Sequence, residues 1–237
     1  MLVIGVVGKK GAGKTAMTQA MEEITAGRNI YCVAFGDALK QMLINAGMVT
    51  YDQVYRRKTG LSRWLMQKIG TDIFRNQIDP WFWVKRTKAR LREIAESEPE
   101  AIVIIHDVRF PEEADLVTKS FNGYLVRVWR PLTRWQYWMQ RLREFKGASD
   151  HASEKAQDAI HTDLTVCNNK TLKDLHRSGK EVFSIFYERY EMDSEARKRR
   201  LEAMRNVPTG EGTKFLLHLN NDKGEKVCQD VAPIAEK

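Results

Sequence analysis

The chain alternates between two hydrophobic periodicities. Nearly continuous apolar runs occur at 2–7, 30–35, 102–106, 124–129 and 163–167, the pattern of strands buried on both faces. Between them, apolar residues recur every three or four positions, which predicts helices over 15–26, 38–46, 63–69, 81–96, 112–119, 133–144 and 172–190. This alternation predicts an α/β fold with a five-stranded, mainly parallel sheet flanked by helices. The intervals 36–101 and 130–161 exceed simple crossovers and are read as helical excursions, the arrangement expected when one site closes over two substrates. After Tyr190 the character changes: 194–206 is a highly charged helix candidate, 207–213 is rich in Pro and Gly, and 215–219 and 225–227 flank a plausible hairpin turn. The expected organisation is therefore a domain over 1–190 followed by an extension over 191–237, whose charge run reads as a solvated helix face.

The junction of the first strand and first helix carries chemistry. Residues 8–15 read GKKGAGKT, a phosphate-binding loop placed between a strand and a helix, where such a loop must sit to work. Gly8, Gly11, Ala12 and Gly13 let backbone amides converge on phosphate oxygens at a helix N-terminus. Lys14 is the residue that reaches the β- and γ-phosphates, and the Thr15 hydroxyl is the expected Mg2+ ligand. The third strand runs into His106-Asp107-Val108-Arg109, which places a carboxylate where a magnesium-organising acid belongs, so Asp107 joins Thr15 as a metal ligand. Arg109 follows two residues later and can face the same cleft; His106 reads as a packed strand-end histidine.

Arginines recur in the second excursion, and planar guanidinium groups suit the charge that phosphoryl transfer spreads over equatorial oxygens. Arg130, directly after the fourth strand, is the first choice for a catalytic role, followed by Arg134 and Arg143. Composition narrows the setting. A formal charge of +8 (39 basic against 31 acidic residues) fits nucleic acid or polyanionic nucleotides. The basic clusters at 85–92, 127–146 and 197–205 form no single stripe, which argues against nucleic acid as the partner. No apolar run is long enough for a membrane span. The early Gly and Lys residues break any signal-peptide layout, and three widely spaced cysteines fit a reducing compartment. A cytoplasmic location is expected, the host cytoplasm if the chain is phage-encoded.

Several further stretches come in a recognisable order: FGDALK (35–40), RWLMQKIGTDIFR (63–75), DPWFWVK (79–85), HDVRFPEEAD (106–115), VRVWRP (126–131), DHASEKA (150–156) and DLTVCNNKTLKDL (163–175). With the phosphate loop, this set resembles the bacteriophage deoxynucleoside monophosphate kinases, within the P-loop nucleotide kinases, over most of residues 1–190. The resemblance implies transfer of the ATP γ-phosphoryl group to a deoxynucleoside monophosphate, with Mg2+. It implies an acceptor pocket lined by Asp37, Lys40, Arg63, Gly70, Thr71, Trp83 and Lys85, with Arg109 and Glu113 beside it. Asp150, His151, Ser153 and Glu154 would close the lid, and Asn169 and Lys170 would pack near the ATP base. Related kinases are often dimers, which leaves a homodimer open. Family members often have Pro where Ala38 stands and Asp-Gly where Asn169 and Lys170 stand. Alternatives on the same residues are a kinase resembling the dephospho-coenzyme A kinases, a nucleic-acid-dependent ATPase or polynucleotide kinase, and a nucleotide-binding structural protein.

Overall fold

Five parallel strands form the central sheet: β1 (Leu2–Val7), β2 (Ile30–Val33), β3 (Ile102–Val108), β4 (Tyr124–Trp129) and β5 (Leu164–Cys167). Their spatial order is β2-β3-β1-β4-β5, and every neighbouring pair runs parallel. A computed structural model describes residues 1–24, 28–57, 59–131, 156–205, 216–220 and 226–230. β1 is central, and all six of its residues are buried, which is why its sequence is apolar without alternation.

The sheet separates two cores. On one face Leu2, Ile4, Val6, Ile102, Ile104, Val126 and Val128 pack against α1 (Lys14–Ile24) and the early turns of α6 (Leu172–Arg205). Met17, Met21, Val182, Phe183 and Phe186 supply the helical side of that core. On the other face Val3, Val7, Val103, Ile105 and Val108 meet α4 (Phe82–Ser97) and α5 (Pro111–Asp115) through Val84, Leu91, Ile94 and Ala114. A third, smaller core belongs to the excursion between β2 and β3. There α2 (Asp37–Asn45) and α3 (Gly60–Gln67) bring Leu39, Leu43 and Leu65 onto Trp83, Phe74 and Phe82.

The register holds one irregularity. Gly5 pairs with Ile105 but Val7 pairs with Val108, so Val6 alone faces both His106 and Asp107. A bulge of this kind reverses the side-chain alternation beyond it. Val108 accordingly packs in the same core as Val103 and Ile105, although its position number has the opposite parity. β3 thus extends two residues past the predicted end at 106, with Asp107 inside its last turn of pleat.

β2 ends at Val33, not at 35. The amides of Ala34, Phe35 and Gly36 donate to the carboxylates of Asp37 and Asp107 instead of to a strand ladder. The predicted helix at 63–69 begins earlier, at Gly60, because the Thr59 hydroxyl accepts from the Ser62 amide at 3.1 Å and caps it. It continues as a wider-wound helical stretch over Lys68–Ile78, and another wide turn covers Asp52–Arg56; neither was expected. α5 likewise runs on in a wide turn, Leu116–Ser120. The two helices predicted at 172–190 and 194–206 are one continuous helix to Arg205, since no Gly or Pro interrupts the chain between Tyr190 and Ser194. The helix predicted over 133–144 lies outside the described residues.

Met1–Tyr190 form one compact unit and Glu191–Lys237 a second. In the second, β6 (Leu216–Asn220) and β7 (Lys226–Asp230) pair antiparallel. Among the described residues no helix is long and apolar enough to cross a membrane.

Phe186 is fully buried and stacks on Tyr124 with ring centroids 5.0 Å apart. Replacing Phe186 with Ala is expected to cost about 3–5 kcal/mol of stability through lost burial and a residual cavity. Urea unfolding followed by circular dichroism measures it, with a lower midpoint at unchanged slope as the expected result.

Candidate active site

In a parallel sheet every strand delivers its carboxyl end to the same edge. Here the segments leaving that edge are the glycine loop after β1, residues 34–36 after β2, Arg109 after β3, Arg130 after β4 and Asn168 after β5. Because Val7 is level with Val108, Gly8 and Arg109 leave adjacent strands side by side.

The glycine loop is shaped by contacts that only glycine permits at two points. A Cβ on Gly8 would lie 2.5 Å from the carbonyl oxygen of Val128, and Gly13, at φ +106°, would place one 2.6 Å from Asn168 Nδ2. Ala12 is buried, Lys14 is half-buried, and Gly11 and Thr15 are exposed at the mouth. The Lys14 ammonium donates to the carbonyls of Gly8 and of Lys9, the latter at 3.0 Å, so it is folded over the cradle that phosphate oxygens would fill. Asn168 Nδ2 donates to the Ala12 carbonyl at 2.9 Å and its backbone amide to Trp129 at 2.7 Å. Asn168 therefore ties the loop after β5 to the glycine loop. Asn169 and Lys170, the residues expected there, are exposed. Sequence reasoning missed Asn168 because an Asn-Asn pair does not reveal which member turns inward.

Asp107 joins this region to the first excursion. Its Oδ1 accepts from the Phe35 amide at 2.8 Å and its Oδ2 from the Gly36 amide at 3.1 Å. Just beyond, Asp37 Oδ2 accepts from the Ala34 amide at 2.8 Å, and Asp37 Oδ1 accepts from Lys40 Nζ at 2.8 Å. Lys40 is nearly buried, its ammonium 4.6 Å above the Tyr55 ring. The Tyr55 hydroxyl donates to the same Asp37 oxygen at 3.3 Å. Burial, with Asp37 second, pushes the Tyr55 phenol up to about 12, so it remains a hydrogen-bond donor throughout the neutral range.

Deeper in the excursion, Gly70 is closed in by Leu39, whose Cδ2 would lie 2.5 Å from an added Cβ. The Gly70 carbonyl accepts from Trp83 Nε1 at 2.8 Å. Trp83 is buried against Phe74 and Phe82, so it shapes this segment from beneath. Thr71 is half-buried beside it, and Arg63 is exposed on α3. Lys85 directs its ammonium to Asp79 at 2.7 Å, an exposed pair that holds the Asp79 carboxyl below its ordinary range.

Glu113 is almost wholly buried. Its Oε2 accepts from the amides of Arg109 at 2.7 Å and Phe110 at 3.2 Å, and its Oε1 accepts from Arg75 Nη2 at 2.7 Å. Burial and then the charge of Asp107 push its carboxyl up to about 8, against the opposing pull of Arg75 and the two amides. Arg75 ends the quoted stretch 63–75 and was not among the expected site residues; an arginine in a helical run reads as solvent-facing until its partners are known. Arg109 and Arg130 are exposed at the cleft edge. Arg134, Arg143, Asp150, His151, Ser153 and Glu154 lie outside the described residues.

Among the described residues no group of three His, Cys, Asp or Glu side chains could hold a metal unaided. A Mg2+ ion commonly takes only one or two protein oxygens and fills its octahedron with phosphate oxygens and water. Thr15 and Asp107 suit that demand: the Thr15 hydroxyl is at the mouth, and each Asp107 oxygen keeps a lone pair beyond its single amide bond. A cavity of about 1080 Å³ lies elsewhere, between Ile24 and the α6 residues Leu172–Ile185, and none of the residues above line it.

Replacing Asn168 with Ala leaves the Ala12 carbonyl without its partner and loosens the loop before nucleotide arrives. The dissociation constant for an ATP analogue, measured by titration calorimetry, is expected to rise about five- to tenfold, the equivalent of one lost hydrogen bond. The thermal midpoint is expected to move little.

The chain is similar to several known proteins. The family model for deoxynucleotide monophosphate kinase matches residues 41–178. A protein of Acanthamoeba polyphaga mimivirus, named for the same activity, is 28% identical over 197 residues, which cover 74% of this chain and 93% of that protein. Similar solved structures include a gluconokinase from Sinorhizobium meliloti (16% identity, TM-score 0.41, covering 81% of this chain and 97% of that one). Another is the APS kinase of Mycobacterium tuberculosis in complex with AMPPNP and APS (15%, TM-score 0.45, 77% and 97%). The family match spans more than half of the sequence, from α2 to α6: the chain belongs to the deoxynucleotide monophosphate kinase family.

Proposed function

We propose that this protein transfers the γ-phosphoryl group of ATP to a deoxynucleoside monophosphate, giving the deoxynucleoside diphosphate and ADP, with Mg2+ as its metal. The observation that carries this reading is the double attachment of Asp107 to the backbone leading into Asp37 and Lys40. One carboxylate at the mouth of the phosphate loop thereby fixes where the acceptor segment begins. Donor and acceptor share a wall, as direct transfer between two bound nucleotides requires.

The chemistry asks for little beyond position and charge. An acceptor phosphate is already an oxyanion, so its oxygen attacks the γ-phosphorus without a general base. As that P–O bond forms, the bond to the β-phosphate oxygen breaks and ADP departs. Lys14 leaves the loop carbonyls to meet the β- and γ-phosphates. Lys40 and Arg109 hold the acceptor phosphate, with Arg63, Gly70, Thr71 and Lys85 around the rest of the acceptor. Arg130, with Arg134 and Arg143, meets the equatorial oxygens of the transferred group. Thr15 and Asp107 would hold Mg2+, which when bound neutralises charge on the phosphate oxygens. Asp150, His151, Ser153 and Glu154 belong to the closing segment, and Asn169 and Lys170 lie toward the ATP base.

An assay coupled to ADP release, run over dAMP, dGMP, dCMP, dTMP and their ribose counterparts, tests the reading, with dephospho-coenzyme A as control. Turnover on at least one monophosphate and none on dephospho-coenzyme A is expected; the reverse pattern overturns it. Chelation of Mg2+ by EDTA is expected to abolish turnover, and added Mg2+ to restore it.

Lys14→Ala removes the cation that meets the phosphates and Asp107→Asn weakens the carboxylate that would hold Mg2+, so kcat is expected to fall on the order of a thousandfold in each. Circular dichroism should report an unchanged fold for both. Near-native turnover by either folded variant excludes this mechanism.

A further inference from the structure

Arg75 occupies a place that no phosphate contact explains. It lies on the stretch Lys68–Ile78, within the acceptor excursion, yet its side chain is 8% exposed and turned away from the surface. All of its partners come from one corner, where β3 passes into α5. Nη2 donates to Glu113 Oε1 at 2.7 Å, and Nη1 donates to Glu112 Oε1. The guanidinium carbon sits 3.6 Å from the centre of the Phe110 ring. The fork of one arginine thus holds both glutamates while its flat face covers the aromatic between them and the strand.

That corner ends in a residue facing the cleft. Glu113 uses its second oxygen to accept from the amides of Arg109 and Phe110, so the peptide that carries Arg109 hangs from a carboxylate that Arg75 holds. A carboxylate this buried has no water to orient it. Without the guanidinium it is free to turn, and with it turns the backbone of Arg109. The chain of contacts runs from the acceptor excursion, through Arg75 and Glu113, to the exit of the strand that bears Asp107.

We propose that Arg75 is a positioning residue for acceptor binding: by clamping Glu113 it fixes the Arg109–Phe110 peptide and so the direction from which Arg109 meets the acceptor phosphate. This rests on the kinase reading above, in which Arg109 binds that phosphate. It adds that the excursion sets the geometry of its own phosphate ligand through a buried hydrogen-bonded cluster, without Arg75 touching substrate. Lysine cannot replace it, because a single ammonium cannot serve two carboxylates and cover a ring at once.

A double-mutant cycle in the full-length enzyme tests this. Arg75→Lys keeps the charge and loses the fork; Arg109→Ala removes the group said to be positioned. In the parent enzyme Arg75→Lys is expected to raise the acceptor KM about tenfold, with the ATP KM held within about twofold. In the Arg109→Ala background, whose own acceptor KM is raised, the same change is expected to shift that KM by less than about twofold. Equal shifts in both backgrounds overturn the positioning role and leave the kinase reading standing, since Arg75 then acts through stability alone. An acceptor KM untouched by Arg109→Ala overturns this inference together with the role given to Arg109, while turnover on the monophosphates still reports separately on the reaction. If Arg75→Lys does not fold, Glu112→Gln removes one of the two anions, and the same non-additivity is expected with a shift of about threefold. Additivity there is equally fatal.

Discussion

Everything at the carboxyl edge of the sheet depends on where the Asp107 carboxylate sits. It is the last acceptor on β3, and it takes two successive amides from the segment that follows β2. Those amides have left the strand ladder and would otherwise need water or another acceptor. By receiving them, Asp107 ends β2 at Val33, turns the chain into α2 and sets the position of Asp37 and Lys40. A substitution there therefore disturbs the backbone leading into Asp37 and Lys40 together with whatever the carboxylate itself holds, and on the proposed reading a kinetic defect at Asp107 does not separate metal binding from acceptor placement.

Three cations around the cleft are each compensated within the protein, but with different degrees of exposure. Lys14 lies on backbone carbonyls, Lys40 shares Asp37 with Tyr55, and Arg75 is enclosed by Glu112 and Glu113. A hydrogen bond to a neutral carbonyl is weaker than one to a carboxylate, so the two contacts to Gly8 and Lys9 hold the Lys14 ammonium less firmly than a charged acceptor would. Lys40 keeps a carboxylate that remains partly open to water. Arg75 has no such route, since both of its partners are carboxyl groups in a largely buried corner. The third is the most enclosed of the three, which fits the positioning role proposed for it.

Much of this was legible in the sequence, and the reason differs by feature. Apolar runs revealed the five strands, most plainly β1, which is buried on both faces, and less so the edge strands β2 and β5, which are partly exposed. The glycine loop was legible because its spacing serves one purpose. Strand ends were less so: the end of β2 is decided by a carboxylate more than seventy residues away, which no local window contains. The wide-wound stretches Asp52–Arg56 and Lys68–Ile78 carry ordinary helical spacing and no marker of the changed pitch. Arg75 and Asn168 were missed for a common reason. Each is a polar residue whose meaning lies wholly in tertiary partners, and the side it faces is not encoded by its neighbours. Trp83 and Glu113 entered as site candidates through resemblance alone, and both are buried.

The bulge opposite Val6 has a consequence for how the strand can change. Up to Ile105, β3 is written in one frame, with odd positions in one core and even positions in the other. After the extra residue the frame is shifted by one, and Asp107 to Arg109 follow it. The strand is thus two texts joined by a single inserted letter. The upstream text answers only to packing and can drift among apolar residues of similar volume. The downstream text answers to the cleft, and it keeps its orientation only as long as the inserted letter remains. Loss of that one residue would change no charge and delete no ligand, yet it would turn the cleft-bearing end of the strand toward the wrong core.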